Sequence, residues 1–238
     1  MEMPPAVYHD KTKKMKSIPK AEVVLKMIES GLVPVFYHPD LDICKNVLKS
    51  CYDGGLRVFE FTNRADFAHE TFSALSKYAK AELPGMLLGA GSIIDAGTTA
   101  IYIQSGAKFI VSPALIPEMA IVCNRRNIMW TPGCGTLTEI VHAQELGADI
   151  VKIFPGAQVG GPAFVKAVLG PMPWSLIMPT GGVAPDKENL KSWFASGVSC
   201  VGMGSNLFPN EWLTKCEFGK ITELISNTLS IIKELRSA

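Results

Sequence analysis

Short runs rich in β-branched and aromatic residues alternate with helix-like segments along nearly the whole chain, and this alternation restricts the possible folds more than any other feature. Eight runs with strand character begin at positions 33, 57, 87, 109, 128, 150, 176 and 199. The segments between and after them are predicted to be helices, with the ranges 41–53, 65–81, 95–105, 116–126, 136–146, 162–169, 187–196 and 210–236. Eight strand–helix units predict a parallel sheet whose helical crossovers close it into a (β/α)8 TIM barrel.

The sequence contains no sign of a second domain. A helix-like pattern at 19–30 precedes the first strand and is predicted to cover the bottom of the barrel. No Pro/Ser-rich linker or low-complexity segment interrupts the chain that follows. We therefore expect a polar tail over 1–18 and a single (β/α)8 barrel domain over 19–238, with one extra N-terminal helix.

Composition and charge argue against several functional classes. Of the 238 residues, 47% are hydrophobic, 19% are charged, and the net charge is +1. Because no dense basic patch is visible, neither a nucleic-acid partner nor a membrane partner is expected. The N-terminus has lysines but lacks the apolar segment of a signal peptide, and no stretch approaches the roughly 18 to 20 apolar residues of a membrane span.

The cysteines and histidines show no metal-binding or redox pattern. The six cysteines are scattered without a CxxC pair, and the four histidines are isolated from one another. Cysteines of this kind are typical of free thiols in a reducing compartment. The sequence therefore predicts a cytoplasmic protein that uses no metal and no cofactor.

The run "DIVKIFPG" (149–156) places a lysine, Lys152, in the middle of an otherwise apolar strand. A lysine is rarely buried without a partner, because its ammonium among apolar groups costs several kcal/mol or is forced neutral. Lys152 is thus a candidate functional residue.

Alternation across the strands groups other polar residues with this lysine. Side chains two residues apart share a face, and barrel enzymes have their active sites at the carboxyl ends of the strands. On the third strand this rule groups Ser92 with Leu88 and Ala90. If one face of each strand points into the barrel, five polar side chains meet at the barrel mouth, namely Glu60, Arg64, Ser92, Lys152 and Thr180.

Lys152 and Glu60 form a candidate pair for Schiff-base chemistry. A solvated lysine is protonated near neutral pH, but burial or a nearby cation such as Arg64 lowers its pKa and frees the amine to attack a carbonyl. The iminium then withdraws electrons from the adjacent carbon, and Glu60 can move protons as a general acid/base. The alternative is a structural lysine in the barrel interior, salt-bridged to Glu60.

Two glycine-containing loops follow the seventh and eighth strands. They read "PTGG" (179–182) and "GMGS" (202–205), and barrels that hold a phosphate commonly hold it at these loops with backbone N–H groups. The run "GAGSIIDAG" does not fit a dinucleotide-binding motif, because Ile94 occupies the position of its third glycine.

The ordered motifs resemble those of a known family. "RVFEFTNR", "GAGS", "VSPA", "TPGCGTLTE", "VKIFP", "PTGGV" and "VGMGS" occur in the order found in the 2-keto-3-deoxy-6-phosphogluconate (KDPG) / 4-hydroxy-2-oxoglutarate (KHG) aldolases. The resemblance covers about 20–210. It implies a class I aldolase on a (β/α)8 barrel, assembled as a homotrimer and using no metal.

The resemblance also implies a role for each matching position. Lys152 is similar to the Schiff-base lysine, Glu60 to the general acid/base and Arg64 to the clamp on the pyruvate carboxylate. The further positions implied to bind substrate are Ser92, Pro113 and Phe154 at the pyruvate end and Thr180, Gly181, Gly182, Gly204 and Ser205 at the phosphate end. The first strand departs from the family pattern, because it ends in Tyr37 and His38 where a basic residue is more usual.

We therefore expect a lyase that cleaves a 2-keto-4-hydroxy acid, most simply KDPG or 4-hydroxy-2-oxoglutarate, into pyruvate and an aldehyde. Its expected partners are a small-molecule keto acid and further copies of itself. Two other functions share the glycine loops: a sugar-phosphate isomerase or epimerase, and a sugar-phosphate-binding protein without catalysis. Neither needs a lysine within a strand paired with Glu60.

Overall fold

The computed structural model describes residues 18–237. Its strands are β1 (Leu32–Phe36), β2 (Val58–Thr62), β3 (Leu87–Gly91), β4 (Phe109–Val111), β5 (Met129–Thr131), β6 (Gly133–Cys134), β7 (Ile150–Ile153), β8 (Leu176–Pro179) and β9 (Val201–Met203). Its α-helices are α1 (Lys20–Ser30), α2 (Leu41–Asp53), α3 (Ala68–Glu82), α4 (Ala96–Gln104), α5 (Pro117–Arg125), α6 (Leu137–Glu145), α7 (Gly161–Leu169), α8 (Lys187–Ala195), α9 (Asn210–Thr214) and α10 (Phe218–Ser237). A short 3₁₀ turn spans Ser205–Leu207.

The strands are parallel and curl into a closed barrel, as predicted. Six of them hydrogen-bond in the order β5-β4-β3-β2-β1-β9, and three more in the order β6-β7-β8. A parallel bridge between Thr180 and Gly202 joins β8 to β9, and the Lys152 N–H donates to the Pro132 carbonyl at 2.9 Å on the other side. These contacts close the circle between the two sheets.

Two apolar layers follow from the alternation of side chains. One lies between the strands and the helices and contains Phe59 and Phe61, as expected for their face of β2. The other fills the barrel interior with side chains from all eight predicted strand runs: Val33, Val58, Leu87, Phe109, Val111, Met129, Ile150, Met178 and Cys200. Val23 and Met27 of α1 belong to this interior layer, so α1 covers the bottom of the barrel as predicted.

Two elements differ from the predicted pattern. The fifth strand is split into β5 and β6 at Pro132, which has no N–H to continue the ladder. The helix predicted over 210–236 is two helices, because Cys216 adopts a left-handed backbone with φ 52° between α9 and α10.

Other expectations concern the termini and the cysteines. The predicted tail over 1–18 falls almost wholly outside the described residues, so the domain boundaries remain predictions. All six cysteines are free, and five of them are buried. No helix within 18–237 is long and apolar enough to cross a membrane.

Candidate active site

Lys152 and Glu60 project into the barrel from the middle of β7 and β2. Both are buried, with 5% and 1% of their surface exposed. Each stands two residues beyond an interior apolar side chain, Ile150 on β7 and Val58 on β2, so the strand alternation places both polar groups inside the barrel. They lie on the mouth side of the apolar layer, as the sequence predicted.

Burial shifts the pKa of both groups. Removal from water lowers the pKa of Lys152, an effect that the Glu60 charge opposes and the Arg64 charge reinforces. Removal from water also raises the pKa of Glu60, opposed by the positive charges of Lys152 and Arg64. The shift at Lys152 favours the neutral amine, which Schiff-base formation requires. The shift at Glu60 makes its carboxylate a stronger base, and a carboxyl of raised pKa is suited to taking up and returning a proton.

The two groups do not form a salt bridge. No Lys152–Glu60 ion pair within 4.0 Å occurs, although both side chains belong to the described part of the chain. Neither carboxyl oxygen of Glu60 has a hydrogen-bond partner among the residues of 18–237. The geometry therefore does not match a structural lysine held by Glu60. An unsatisfied buried carboxyl is costly, and it is the kind of group a substrate or water satisfies.

Glycines on neighbouring strands make room for these side chains. A Cβ at Gly91 would overlap the Glu60 carboxyl, and a Cβ at Gly202 would overlap the Thr180 hydroxyl. The Thr180 hydroxyl oxygen is itself buried and lacks a hydrogen-bond partner within the described residues. Glycine has no Cβ, so these two polar side chains can pack directly against the backbone of the neighbouring strand.

Arg64 and Phe154 border the pair on the solvent side. Arg64 lies in the loop after β2 and is exposed, but its charge still acts on the pKa of both buried groups. The Phe154 ring centroid lies 4.9 Å from the Lys152 Nζ, and 36% of the surface of Phe154 is exposed. A cation and an aromatic rim therefore frame the entrance to a buried amine.

Pro113 follows β4 and packs against β6, the neighbour of the lysine strand. A Cβ at Gly133 would overlap the Pro113 carbonyl, and Gly133 is the register partner of Lys152. Pro113 is thus separated from Lys152 by one strand, and its role at the pyruvate end stays a prediction.

Ser92 does not reach the mouth by strand alternation. Leu88 and Ala90, its supposed companions, pack on the helical side of the sheet, so that part of the prediction is wrong. Ser92 has a left-handed backbone with φ 59° and directly follows Gly91, the residue that packs against the Glu60 carboxyl. A positive φ ends the two-residue repeat on which the rule depends.

The glycine loops are held by side chains that sequence reasoning missed. The Gly182 carbonyl accepts hydrogen bonds from Asn189 Nδ2 at 3.0 Å and Trp193 Nε1 at 3.3 Å. Asn206 Nδ2 donates to the Val183 carbonyl at 2.8 Å and so links the loop after β9 to the loop after β8. Gly181 and Gly182 have positive φ of 95° and 80°, a conformation that favours glycine. Gly204 and Ser205 stand next to Asn206 at the start of the 3₁₀ turn.

Thr131 is a further interior hydroxyl that the sequence reading overlooked. It is fully buried at the mouth end of β5, two residues beyond the interior residue Met129, and its oxygen has no hydrogen-bond partner among the described residues. The alternation that selected Lys152 would have selected Thr131 as well.

A parallel (β/α)8 barrel whose mouth holds a buried lysine of lowered pKa beside a buried carboxyl is the framework of an enzyme that acts through a Schiff base. Comparison with known proteins gives the family. The family model "KDPG and KHG aldolase" matches residues 23–224, and the chain belongs to this family of aldolases. It is accordingly a lyase, a class I aldolase.

Individual relatives agree with this assignment. The chain is 30% identical over 202 residues to the 2-dehydro-3-deoxy-phosphogluconate aldolase of Pseudoalteromonas atlantica, covering 85% of this chain and 91% of the relative. It is 30% identical over 194 residues to the KHG/KDPG aldolase of Escherichia coli K12, covering 81% and 88%. The solved KDPG aldolase of Legionella pneumophila, with pyruvate captured as a covalent carbinolamine, has a TM-score of 0.78 and 28% identity, covering 86% and 97%.

Proposed function

We propose that the protein cleaves a 2-keto-4-hydroxy acid, KDPG or 4-hydroxy-2-oxoglutarate, to pyruvate and glyceraldehyde 3-phosphate or glyoxylate, with Lys152 as nucleophile and Glu60 as general acid/base. One observation carries the proposal. A buried amine with a lowered pKa and a buried carboxyl with a raised pKa lie in the same barrel mouth without pairing with each other. The carbinolamine in the Legionella pneumophila structure, which is the adduct of an amine and a ketone, supports the same chemistry.

The reaction begins at the ketone. The neutral amine of Lys152 adds to C2, and loss of water from the carbinolamine gives an iminium. Glu60, acting through a water, takes the proton of the C4 hydroxyl, and the electrons of the C3–C4 bond move into the iminium as the aldehyde leaves. The proton that Glu60 took is then returned to C3 of the enamine, and water hydrolyses the resulting iminium to release pyruvate and free Lys152.

The other predicted residues bind and orient. Arg64 is assigned to the pyruvate carboxylate, because a guanidinium can bind a carboxylate through two hydrogen bonds. Ser92, Pro113 and Phe154 are assigned to the walls around the keto acid. The Phe154 ring beside Lys152 supports its assignment. Ser92 is supported through Gly91, which packs against Glu60, and Pro113 through Gly133, the register partner of Lys152.

The distal end is assigned to a phosphate. Thr180 with the Gly181–Gly182 and Gly204–Ser205 loops would hold it, mainly through backbone N–H groups. The Tyr37 ring, which follows β1, packs against the Phe61 ring on the helical side with the ring centroids 5.6 Å apart, so this position supplies an apolar contact and no positive charge. We expect kcat/KM to be higher for KDPG than for 4-hydroxy-2-oxoglutarate, and a ratio at or below one would assign the enzyme to unphosphorylated keto acids.

The decisive experiment traps the imine. Borohydride reduction in the presence of pyruvate should add one reduced pyruvate to Lys152, found by mass mapping. The exposed Lys166 serves as the internal control and should stay unmodified. An adduct on another residue, or no adduct, would show that Lys152 is not the nucleophile. An isomerase or a non-catalytic binding protein would then be the better interpretation.

A homotrimer is proposed as the assembly. Large apolar side chains are exposed on successive units of one side of the barrel: Phe67, Ile94, Ile101, Ile121, Leu137 and Val141. Extended exposed apolar surface of this kind marks an interface. Light scattering should give a trimer mass, which Phe67→Asp with Ile94→Asp should reduce to a monomer mass. Trp174→Asp, at an equally exposed position on another unit, should leave the trimer intact.

A further inference from the structure

A cavity of about 590 Å³ lies at the opposite end of the barrel from the catalytic mouth. It is formed by the second half of α3, the turn leading into β3 and the end of α4. Leu88 near the start of β3 and Lys108 just before β4 both line it, and the Lys108 N–H donates to the Leu88 carbonyl at 2.8 Å. The cavity therefore opens beside the amino ends of the strands, and the proposed mechanism makes no use of it. Its volume lies within the range of small-molecule sites.

The charges around this cavity are all of one sign. Lys77, Lys80 and Lys108 line it, and no acidic residue does so within the described chain. Seven other lysines of 18–237 form salt bridges with carboxylates, whereas these three have none within 4.0 Å in that part of the chain. Three unneutralised cations around one concave surface attract anions, because low-dielectric walls focus their field.

The walls of the cavity define the ligand further. Leu83, Met86 and Leu88 give the cavity an apolar floor, which suits the hydrocarbon or aromatic part of a ligand. Lysine binds phosphate and carboxylate as a point charge.

We propose that this cavity is a second binding site, for a small organic anion that carries a phosphate or carboxylate group on an apolar or aromatic body. It is separate from the keto-acid site in the mouth.

Pyridoxal 5′-phosphate is a suitable probe, since it combines a phosphate, an aromatic ring and an aldehyde. Its aldehyde carbon bonds to a lysine Nζ with loss of water, and borohydride delivers hydride to the imine carbon to leave a stable secondary amine. The protein is first treated with pyruvate and borohydride, and labelled lysines are then mapped by mass. Any label on Lys152 is scored separately.

At limiting probe, Lys77, Lys80 and Lys108 should carry about tenfold more label than Lys166 and Lys191, two exposed lysines that also lack salt bridges in the described chain. Phenyl phosphate should protect the three cavity lysines in a saturable way. Pyridoxal, which lacks the phosphate, should not show the preference. Equal labelling of all five lysines, the same pattern with pyridoxal, or no protection would overturn the proposal.

Matched variants separate a site from mere surface reactivity. Lys77→Gln with Lys80→Gln should lower the labelling of Lys108 about fivefold or more, because the field that concentrates the anion is removed. Lys166→Gln with Lys191→Gln removes the same charge elsewhere and should leave Lys108 labelling unchanged. If both double variants lower the labelling of Lys108 equally, the effect comes from the net charge of the protein, and the proposed site is refuted.

Discussion

The two ends of the barrel interior are built by the same strands and differ completely in chemistry. At the amino end the interior side chains are apolar and sealed by Val23 and Met27 of α1. One step of two residues toward the carboxyl end replaces them by polar groups, in the pairs Val58 and Glu60, Met129 and Thr131, Ile150 and Lys152, and Met178 and Thr180. The lower layer is packed apolar core, whereas Glu60, Thr131 and Thr180 of the upper layer have buried oxygens without a hydrogen-bond partner within the described chain. Stability and chemistry thus occupy adjacent layers of one sheet.

The largest effect is expected from removing the amine of the upper layer. Lys152→Met should abolish turnover and pyruvate trapping, because no other buried amine faces the mouth within the described residues. The free energy of unfolding should stay equal or rise, since an apolar chain of similar length replaces a buried ionisable group. Steady-state kinetics and urea unfolding measure the two quantities. If the variant still cleaves substrate, the Lys152 amine is not the nucleophile and the upper layer does not carry the chemistry.

The Glu60 carboxyl is expected to matter for cleavage and not for imine formation. Glu60→Gln should still trap pyruvate at Lys152, because imine formation needs the amine, whereas cleavage should fall by roughly 10² to 10⁴ for loss of a positioned acid/base. Single-turnover cleavage and borohydride trapping on the same preparation separate the steps. Normal cleavage by this variant would make Glu60 a structural residue.

A third variant moves the polar group into the lower layer. Ile150→Lys puts a second amine two residues below Lys152, among fully buried apolar side chains. Because a lysine buried in such a site loses several pKa units, we expect a loss of about 4 kcal/mol or more in unfolding free energy. Ile150→Met is the control of similar length and should cost less than about 1.5 kcal/mol. Urea unfolding compares the two. Equal stability of the variants would show that the layers do not differ in their tolerance of charge.

The periodic part of this design could be predicted from the sequence, and the aperiodic part could not. Alternation of strands and helices predicts the barrel, and alternation within strands places Glu60, Lys152 and Thr180 inside it. The same rule applied to β5 would have found Thr131. It fails at Ser92, where a left-handed residue interrupts the extended backbone and the sequence gives no sign of the change.

Side-chain hydrogen bonds account for the other positions that the sequence did not predict. Asn189 and Trp193 of α8 donate back to the Gly182 carbonyl of the preceding loop, and Asn206 joins the loop after β9 to the loop after β8. The alternation of polar and apolar residues carries no information on these contacts. The break between α9 and α10 rests on a left-handed cysteine, Cys216, where glycine would be the usual signal.

The smallest expected effect concerns the rim, and it tests how far the charges of the mouth reach into the upper layer. The rate of pyruvate trapping by cyanoborohydride at saturating pyruvate follows the neutral fraction of Lys152, so its pH dependence reports the pKa of that amine. Arg64 lowers this pKa, and removing it by Arg64→Met should move the profile slightly to higher pH, since Arg64 is exposed and its charge is screened. Glu60 raises the same pKa, so Glu60→Gln should move the profile to lower pH, and by more than Arg64→Met moves it to higher pH.

In about 1 M salt, where the screening length falls to about 3 Å, the Arg64 shift should shrink while the shift from buried Glu60 persists. Shifts in the same direction for both variants would mean that charge does not control the amine, and would leave burial alone to explain its reactivity.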